Sequence, residues 1–173
     1  TIMISMRYSP WLIAMRKAVQ DGLIGEACLI SAQKSYRLGE RPEWMKNRAT
    51  FSGIIPFIGI HALDFIQWCS GRTFTEVMAY HGTVAHPELR DMEDTASIVL
   101  KLDNGGSATA HLDYLRPAAA PTHADDRLRI AGSRGIVEFI GDTAPTLITH
   151  DQPERVLPMG EEENHFVDFV RAI

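Results

Sequence analysis

SGIIPFIGIHALDFIQW, residues 52–68, is an apolar segment too long for a single strand, and its length predicts a buried helix that Ser70-Gly71 closes. Pro56 is compatible with a helix only near the first turn, where its missing N–H is not needed. At helical spacing, one face of this helix carries the residues at offsets of 0, 4, 7, 8 and 11, namely Phe57, His61, Asp64, Phe65 and Trp68. We therefore expect His61 and Asp64 to be neighbours on a largely buried helix.

The pair of His61 and Asp64 has two interpretations. A carboxylate beside an imidazole fixes its tautomer and raises its basicity, which suits a general acid or base near neutral pH. On spacing alone, however, a histidine in an apolar helix is more often a hydrogen-bonded core residue. A metal site built from His61, Asp64 and His123 is a weaker alternative, because His61-x-x-Asp64 supplies two of the three ligands that catalytic zinc needs.

The residues before this helix predict another helix and a strand. Ser9 and Pro10 suit the N-cap and first helical positions, and apolar residues at helical spacing continue to Gly22, which suits the end of a helix. Residues 27–36 are rich in side chains that suit a pleated sheet. The charged, proline-containing stretch 37–48 then predicts a loop.

After Gly71 the hydrophobic pattern changes to a period of two. This pattern predicts strands over residues 75–84, 94–102, 107–115, 127–131 and 136–139. Asp103-Asn104-Gly105-Gly106 and Gly132-Ser133-Arg134-Gly135 predict tight turns, which join antiparallel neighbours. The expected fold is α+β, an open, predominantly antiparallel sheet with helices packed on one face. A final helix is predicted over residues 161–173, beginning with three glutamates.

The composition suits one globular domain and argues against several classes of protein. The 173 residues are 45% hydrophobic, and a net charge of −5 does not favour contact with nucleic acid or anionic lipid. The longest apolar stretch is shorter than the roughly 20 residues that cross a bilayer, so no membrane partner is expected.

Cys28 and Cys69 lack disulfide or metal-site spacing, which favours a reducing cytoplasm. Neither GxGxxG nor GxxxxGK[ST] occurs, so we expect no dinucleotide-binding loop in this chain.

Residues 53–68 resemble the active-site helix in the C-terminal domain of the Gfo/Idh/MocA oxidoreductases, the family of glucose–fructose oxidoreductase and inositol dehydrogenase. The resemblance covers nearly the whole chain, through segments similar to the family's domain crossover, later strands and returning helix: 7–10, 24–26, 93–96, 103–105, 127–135 and 164–173. It implies a two-domain NAD(P)-dependent oxidoreductase that acts on a sugar, inositol or related polyol. By position, His61 matches the catalytic histidine that exchanges a proton with the substrate hydroxyl.

The family architecture also implies how this chain is organised. Residues 1–173 would form a single substrate-binding and oligomerisation domain, inactive alone. NAD or NADP would be held mainly by an N-terminal Rossmann domain that precedes Thr1 and carries a Glu-Lys-Pro motif. Many members have Asp or Asn four residues before the catalytic histidine, where this chain has Phe57. A non-catalytic sugar-binding or scaffold module of the same fold is therefore the alternative.

Candidate substrate-binding residues come from two loops and the helix, because loops on a rigid scaffold commonly carry specificity. The first loop follows the first predicted strand and supplies Tyr36 and Arg41. The second, residues 114–126, supplies Arg116 and His123, whose polar groups suit a polyol or an acidic substituent. Asp64 on the helix completes the set.

The sequence leaves two points about these loops open. The second loop is also compatible with a solvated connection in which Asp125 and Asp126 pair with Arg127 or Arg129. The register of the first strand decides whether Lys34 faces a cleft or solvent, and the sequence does not fix that register.

An open sheet with helices on one side leaves its other side to water or to a partner. In residues 97–102, apolar Ile98, Leu100 and Leu102 alternate with Ser97, Val99 and Lys101, which does not give a cleanly polar face. We expect a homo-oligomer, most simply a dimer, through the open face of the sheet.

Overall fold

The computed structural model describes residues 4–161 and 165–171, apart from the side chain of Asp168. Its helices are α1 (Pro10–Gln20), α2 (Ile60–Ser70) and α3 (His165–Arg171). Its strands are β1 (Ala27–Tyr36), β2 (Phe74–Gly82), β3 (Thr95–Leu102), β4 (Ser107–Asp113), β5 (Ala124–Gly132), β6 (Gly135–Ile140), β7 (Thr146–Thr149) and β8 (Gln152–Val156).

The eight strands form one open sheet in the order β2-β3-β4-β1-β5-β6-β7-β8. Six of the seven strand pairings are antiparallel, and β1 with β4 is the parallel one. The α+β class and the predominantly antiparallel sheet are therefore confirmed. β1 lies in the middle of the sheet, which places its side chains in the most enclosed part of the fold.

Most predicted elements lie where the sequence places them. α1 begins after Ser9 and ends just before Gly22, and β1 has the predicted limits. The sequence does not predict the short strands β7 and β8. β8 is exposed along its whole length, so it has no alternation of apolar and polar residues. Of the predicted final helix, residues 165–171 are helical, whereas Glu161 is not, and residues 162–164 and 172–173 lie outside the described residues.

Both long helices pack on the same face of the sheet. Trp11 of α1 stacks on Phe139 of β6 with ring centroids 4.0 Å apart and meets Phe65 of α2 edge-on at 5.9 Å. Arg16 joins the helices, since its Nη1 donates to the carbonyl oxygen of Trp68 at 3.0 Å. The buried faces of β1, β3, β4 and β5 complete this core.

A π-helical turn, Ile55–Gly59, precedes α2 and delivers His61 to the sheet. Pro56 lies in the first positions of this turn, where the sequence predicted that it would be tolerated. Gly59 allows a close approach to β4, because a Cβ at this position would lie 2.7 Å from Leu112 Cδ1. Because this turn is wider than an α-helical turn, Phe57 does not share the buried face with Asp64 and Phe65. Its side chain is 42% exposed, and its ring lies 5.3 Å from the ring of Phe51.

Two neighbouring acidic residues fix the segments around α2. Glu93 Oε2 accepts the N–H of Ile54 at 3.0 Å, at the start of the helical segment, and its other oxygen pairs with Arg48. Asp94 is fully buried and accepts the N–H groups of Val84, Ala85 and His86 at 2.7–3.1 Å. These contacts account for the buried position of two carboxylates in an otherwise apolar region.

The opposite face of the sheet carries a mixture of polar and apolar side chains. Ile98, Leu100 and Leu102 point to the helices and are buried, whereas Val99 is 49% exposed on the open face. Leu29, Met78, Tyr80 and Ile140 are also exposed there. Among the described residues, no helix has the length and apolar character needed to cross a membrane.

Candidate active site

A buried ion pair lies at the end of β1. Lys34 is 1% exposed, and its Nζ donates to Asp126 Oδ2 at 2.6 Å across the pairing of β1 with β5. Burial lowers the pKa of Lys34, and the neighbouring Asp126 carboxylate opposes that shift. The second oxygen of Asp126, Oδ1, is buried and has no hydrogen-bond partner within the described chain. The register of β1 thus places Lys34 on the helix side of the sheet.

His61 faces this ion pair from α2. Its imidazole is half-buried, and Nδ1 is enclosed without a hydrogen-bond partner in the described structure. Burial lowers the pKa of His61, and the positive charge of Lys34 lowers it further, while Asp126 and Asp64 act in the opposite direction. His61 is therefore neutral near pH 7 and has a ring nitrogen available to accept a proton.

In the described structure, the hydrogen bonds of the Asp64 carboxylate come from Arg7 and not from His61. The buried carboxylate accepts hydrogen bonds from Arg7, with Nε to Oδ2 at 2.9 Å, and Arg7 Nη2 also contacts Oδ1. This bidentate guanidinium contact engages both carboxylate oxygens. Asp64 acts on His61 through its charge and joins the segment before α1 to α2.

Two tyrosines extend the site from Lys34 toward the loops. The Tyr36 ring lies 5.1 Å from Lys34 Nζ, 6.5 Å from the Tyr114 ring and 5.3 Å from the His123 ring. Burial raises the pKa of Tyr114 to about 12, and burial together with Asp126 raises that of Tyr36. Both phenols therefore remain protonated. The Tyr114 hydroxyl is buried and has no hydrogen-bond partner in the residues the structure describes.

Arginines surround this tyrosine pair. The guanidinium of Arg41 lies 4.5 Å from the Tyr114 ring centroid, and its Nη2 donates to the Arg37 carbonyl oxygen at 3.4 Å. Arg116 is held within the protein, by the Thr122 carbonyl oxygen at 2.9 Å and by Asp125 at 3.4 Å. The loop residues are therefore drawn toward one end of β1.

The structure thus brings four of the candidate substrate-binding residues together: Tyr36, Arg41, Arg116 and His123. His61 joins them through Lys34 and Asp126. Asp64 is instead engaged by Arg7. The solvated-loop interpretation is correct for the pairing of Asp125 with Arg127 and wrong for Asp126, because β5 begins at Ala124 and carries Asp126 beside Lys34.

Asp126, Tyr114 and Arg37 are missing from the sequence-based candidates, and the sequence leaves open whether Lys34 faces a cleft or solvent. Lys34 alternates along β1 with Ile30 and Ala32, and the burial of these two in the core shows that Lys34 lies on the same face. The role of Asp126 depends on the pairing of β5 with β1, which brings Asp126 to Lys34, 92 residues earlier in the sequence.

A cleft of about 350 Å³ opens beside this cluster. Asp126 lines it together with Trp11, Phe139 and Thr143. Such a volume lies at the lower end of the range for small-molecule sites. Among the described residues of the cluster, Asp126 lines this cleft, whereas Lys34 and His61 do not. Within residues 4–161 and 165–171, no three His, Cys, Asp or Glu side chains form a group that could hold a metal, so the metal-centred alternative has no support in this structure.

The fold is an open mixed sheet with a histidine-bearing helix packed on one of its faces. The family model for the GFO/IDH/MocA C-terminal domain matches residues 12–138, and the chain belongs to this family.

Three relatives show how far the similarity reaches. The inositol 2-dehydrogenase of Rhizobium meliloti strain 1021 is 25% identical over 131 residues, which are 76% of this chain and 38% of that protein. A Thermotoga maritima structure described as an oxidoreductase has a TM-score of 0.94 and 42% identity, over 98% of this chain and 51% of that one. An Azotobacter vinelandii inositol dehydrogenase homologue, solved with NADH and myo-inositol, shares the fold with a TM-score of 0.74 and 17% identity, over 90% of this chain and 41% of that one. The chain therefore spans about half of the length of these relatives or less.

Proposed function

We propose that this chain is the substrate-binding and catalytic-histidine domain of an NAD(P)-dependent oxidoreductase that acts on a sugar, inositol or related polyol. The observation that carries the proposal is the state of His61: half-buried, with Nδ1 unpartnered in the described structure and its pKa lowered by burial and by Lys34. Such an imidazole is neutral at physiological pH and can take a proton from a hydroxyl group. The relatives named for inositol dehydrogenase support the polyol as substrate class.

The chain's own residues would move the proton and hold the substrate. In the oxidising direction His61 accepts the hydroxyl proton while the carbon loses hydride, and in the reducing direction it returns the proton to the carbonyl oxygen. A nicotinamide, when bound, supplies or accepts that hydride. This chain has no phosphate-binding glycine motif, so a separate nucleotide-binding domain would hold NAD or NADP.

The test is an assay of the complete polypeptide that the gene encodes, for NADH or NADPH formation with a panel of polyols. His61→Asn is expected to lower kcat by about 10²–10⁴-fold, the usual contribution of general acid–base catalysis. His150→Asn, which changes an exposed histidine in the turn between β7 and β8, is the matched control and should leave kcat unchanged. Full activity in the His61 variant would refute the role proposed for His61.

A non-catalytic sugar-binding or scaffold module is the second candidate function, and the position of Phe57 favours it. The Phe57 ring contacts Phe51 and offers no polar atom to a substrate. Nucleotide and polyol binding without turnover on any member of the panel would support this second function over the first.

Oligomerisation through the open face of the sheet is proposed on the apolar side chains exposed there. Val99 and Met78 are paired neighbours on β3 and β2, exposed by 49% and 59%. A surface of this kind favours association. Sedimentation should show an oligomer that Val99→Glu weakens, whereas a strict monomer at high protein concentration would contradict the proposal.

A further inference from the structure

Two arginines at this end of β1 have no acidic partner among the described residues. Arg37 and Arg41 each have a buried Nε without a hydrogen-bond acceptor, and neither forms an ion pair with any residue that the structure describes. An unsatisfied buried N–H of a charged group is costly, and native proteins normally pair it. An anion from outside the chain would supply such an acceptor.

Two of the three nearby carboxylates already form ion pairs. Asp126 is committed to Lys34, and Asp125 is shared by Arg116 and Arg127. Glu40, in the same loop as Arg41, is exposed and makes no ion pair with another described residue. Arg37 and Arg41 therefore have no ion-pair partner among the described residues at this end of β1, although the exposed Glu40 carboxylate lies in the same loop.

The surroundings of Arg41 suit the recognition of a planar or tetrahedral oxyanion. Its guanidinium lies 4.5 Å from the centroid of the Tyr114 ring. A stacked guanidinium keeps its N–H groups in its own plane, where they bind carboxylate or phosphate oxygens. The Tyr114 hydroxyl, on a side chain 1% exposed, is a further donor without a partner in the described structure.

We propose that Arg37 and Arg41 form a subsite for an anionic substituent, a carboxylate or a phosphate, on the polyol substrate. This inference rests on the proposed function, in which His61 acts on a hydroxyl group of the substrate. Contacts run from Arg41 through Tyr114 and Tyr36 to Lys34, whose charge acts on His61. The anion would therefore anchor one end of the substrate while His61 acts on a hydroxyl elsewhere on it.

Kinetics of the complete polypeptide test this subsite with matched compounds. Neutral aldoses and alditols are compared with the corresponding aldonates and with hexose 6-phosphates, at a saturating concentration of NAD or NADP. The proposal requires kcat/KM for an acidic compound to exceed that of its neutral parent at least about tenfold, the scale of a charge-assisted hydrogen-bond pair. A carboxylate preference and a phosphate preference both support it and identify the anion. Equal turnover of acidic and neutral compounds overturns it and leaves the proposed function intact.

Substitutions of the arginines then test which residues cause the preference for the acidic compound. The double variant R37Q/R41Q should lose the advantage of the acidic compound by a rise in KM of at least about tenfold, with kcat within about twofold. R155Q makes the same change at an exposed position on β8 and should retain the preference. A double variant that keeps the preference overturns the assignment to these two arginines.

Calorimetric titration separates the two proposals when turnover is absent. If no compound is oxidised, the proposed function fails. Binding of an aldonate or hexose 6-phosphate to the complete polypeptide, lost in R37Q/R41Q and kept in R155Q, then still supports the anion subsite. The absence of any such binding overturns it.

Discussion

Lys34 Nζ donates to Asp126 Oδ2 at 2.6 Å, from a side chain that is 1% exposed in the central strand of the sheet. The pair presents a positive charge to His61 from β1 and a negative charge from β5, and these act on its pKa in opposite directions. Because burial adds to the effect of Lys34, the neutral imidazole is favoured. Of the charged groups on the sheet, Lys34 therefore opposes protonation of His61 and Asp126 favours it.

Replacement of Lys34 by Met should raise the pKa of His61. The substitution removes a positive charge that disfavours the imidazolium and leaves Asp126 as a negative charge that favours it. Titration of the imidazole carbon-bound protons by NMR, with His61→Asn to assign the signal, measures the change. Lys101→Met, at an exposed lysine on β3 paired with Glu76, is the control and should not move it. An unchanged pKa in Lys34→Met would show that the Lys34 charge does not reach His61.

Stability should depend on pH through His61. Its pKa in the folded chain lies below its ordinary value of 6.5, so the unfolded chain binds a proton first as the pH falls. The free energy of unfolding should thus decrease as the pH falls from about 6.5 toward the folded pKa. Urea unfolding from pH 7.5 to 5 measures this slope, and His61→Asn should make it shallower. An equal slope in the variant would assign the effect to other groups.

The sequence predicts the helices and strands that carry the site better than it predicts the contacts between the site's side chains. The length of residues 52–68 predicts the helix that carries His61, and the predicted limits of β1 are those of the structure. The central position of β1 in the sheet is seen only in the structure. Helical spacing also predicts that Asp64 neighbours His61, but it does not reveal that Arg7, 57 residues earlier, takes the carboxylate. Which partner a buried charge selects depends on contacts between distant segments, and local periodicity does not encode them.

Cross-strand register explains the remaining omissions. Lys34 meets Asp126, and Tyr36 meets His123, only once β1 lies beside β5. A shift of one residue in β1 would turn Lys34 to the opposite face of the sheet. The exposed position of Phe57 follows from a π-helical turn, and helical spacing at 3.6 residues per turn does not anticipate one.

Breaking the contact between Arg7 and Asp64 should destabilise the fold. Arg7→Gln leaves a buried carboxylate without its cation, and because Arg7 is 45% exposed we expect a loss of about 1–3 kcal/mol rather than the full cost of a buried pair. Urea unfolding measures the loss, and Arg7→Gln/Asp64→Asn should recover part of it. Lys17→Gln, in the exposed pair of Lys17 with Asp21, is the control and should change the stability by less than about 0.5 kcal/mol.

The single variant Asp64→Asn distinguishes two roles for Asp64. If Asp64 is structural, Asp64→Asn lowers stability and leaves KM for the polyol within about twofold. A large rise in KM at unchanged stability would instead support Asp64 as a substrate-binding residue.

Asp94 should be required for the segment that leads into β3. Its fully buried carboxylate accepts three consecutive backbone N–H groups, from Val84, Ala85 and His86. Asp94→Asn keeps the shape but removes the charge and one acceptor oxygen, so we expect a loss of at least about 2 kcal/mol. Asp142→Asn, at an exposed position after β6, should have little effect. Hydrogen exchange should also quicken at the amides of residues 84–86, and a variant as stable and as protected as the parent would show that these hydrogen bonds do not hold the segment.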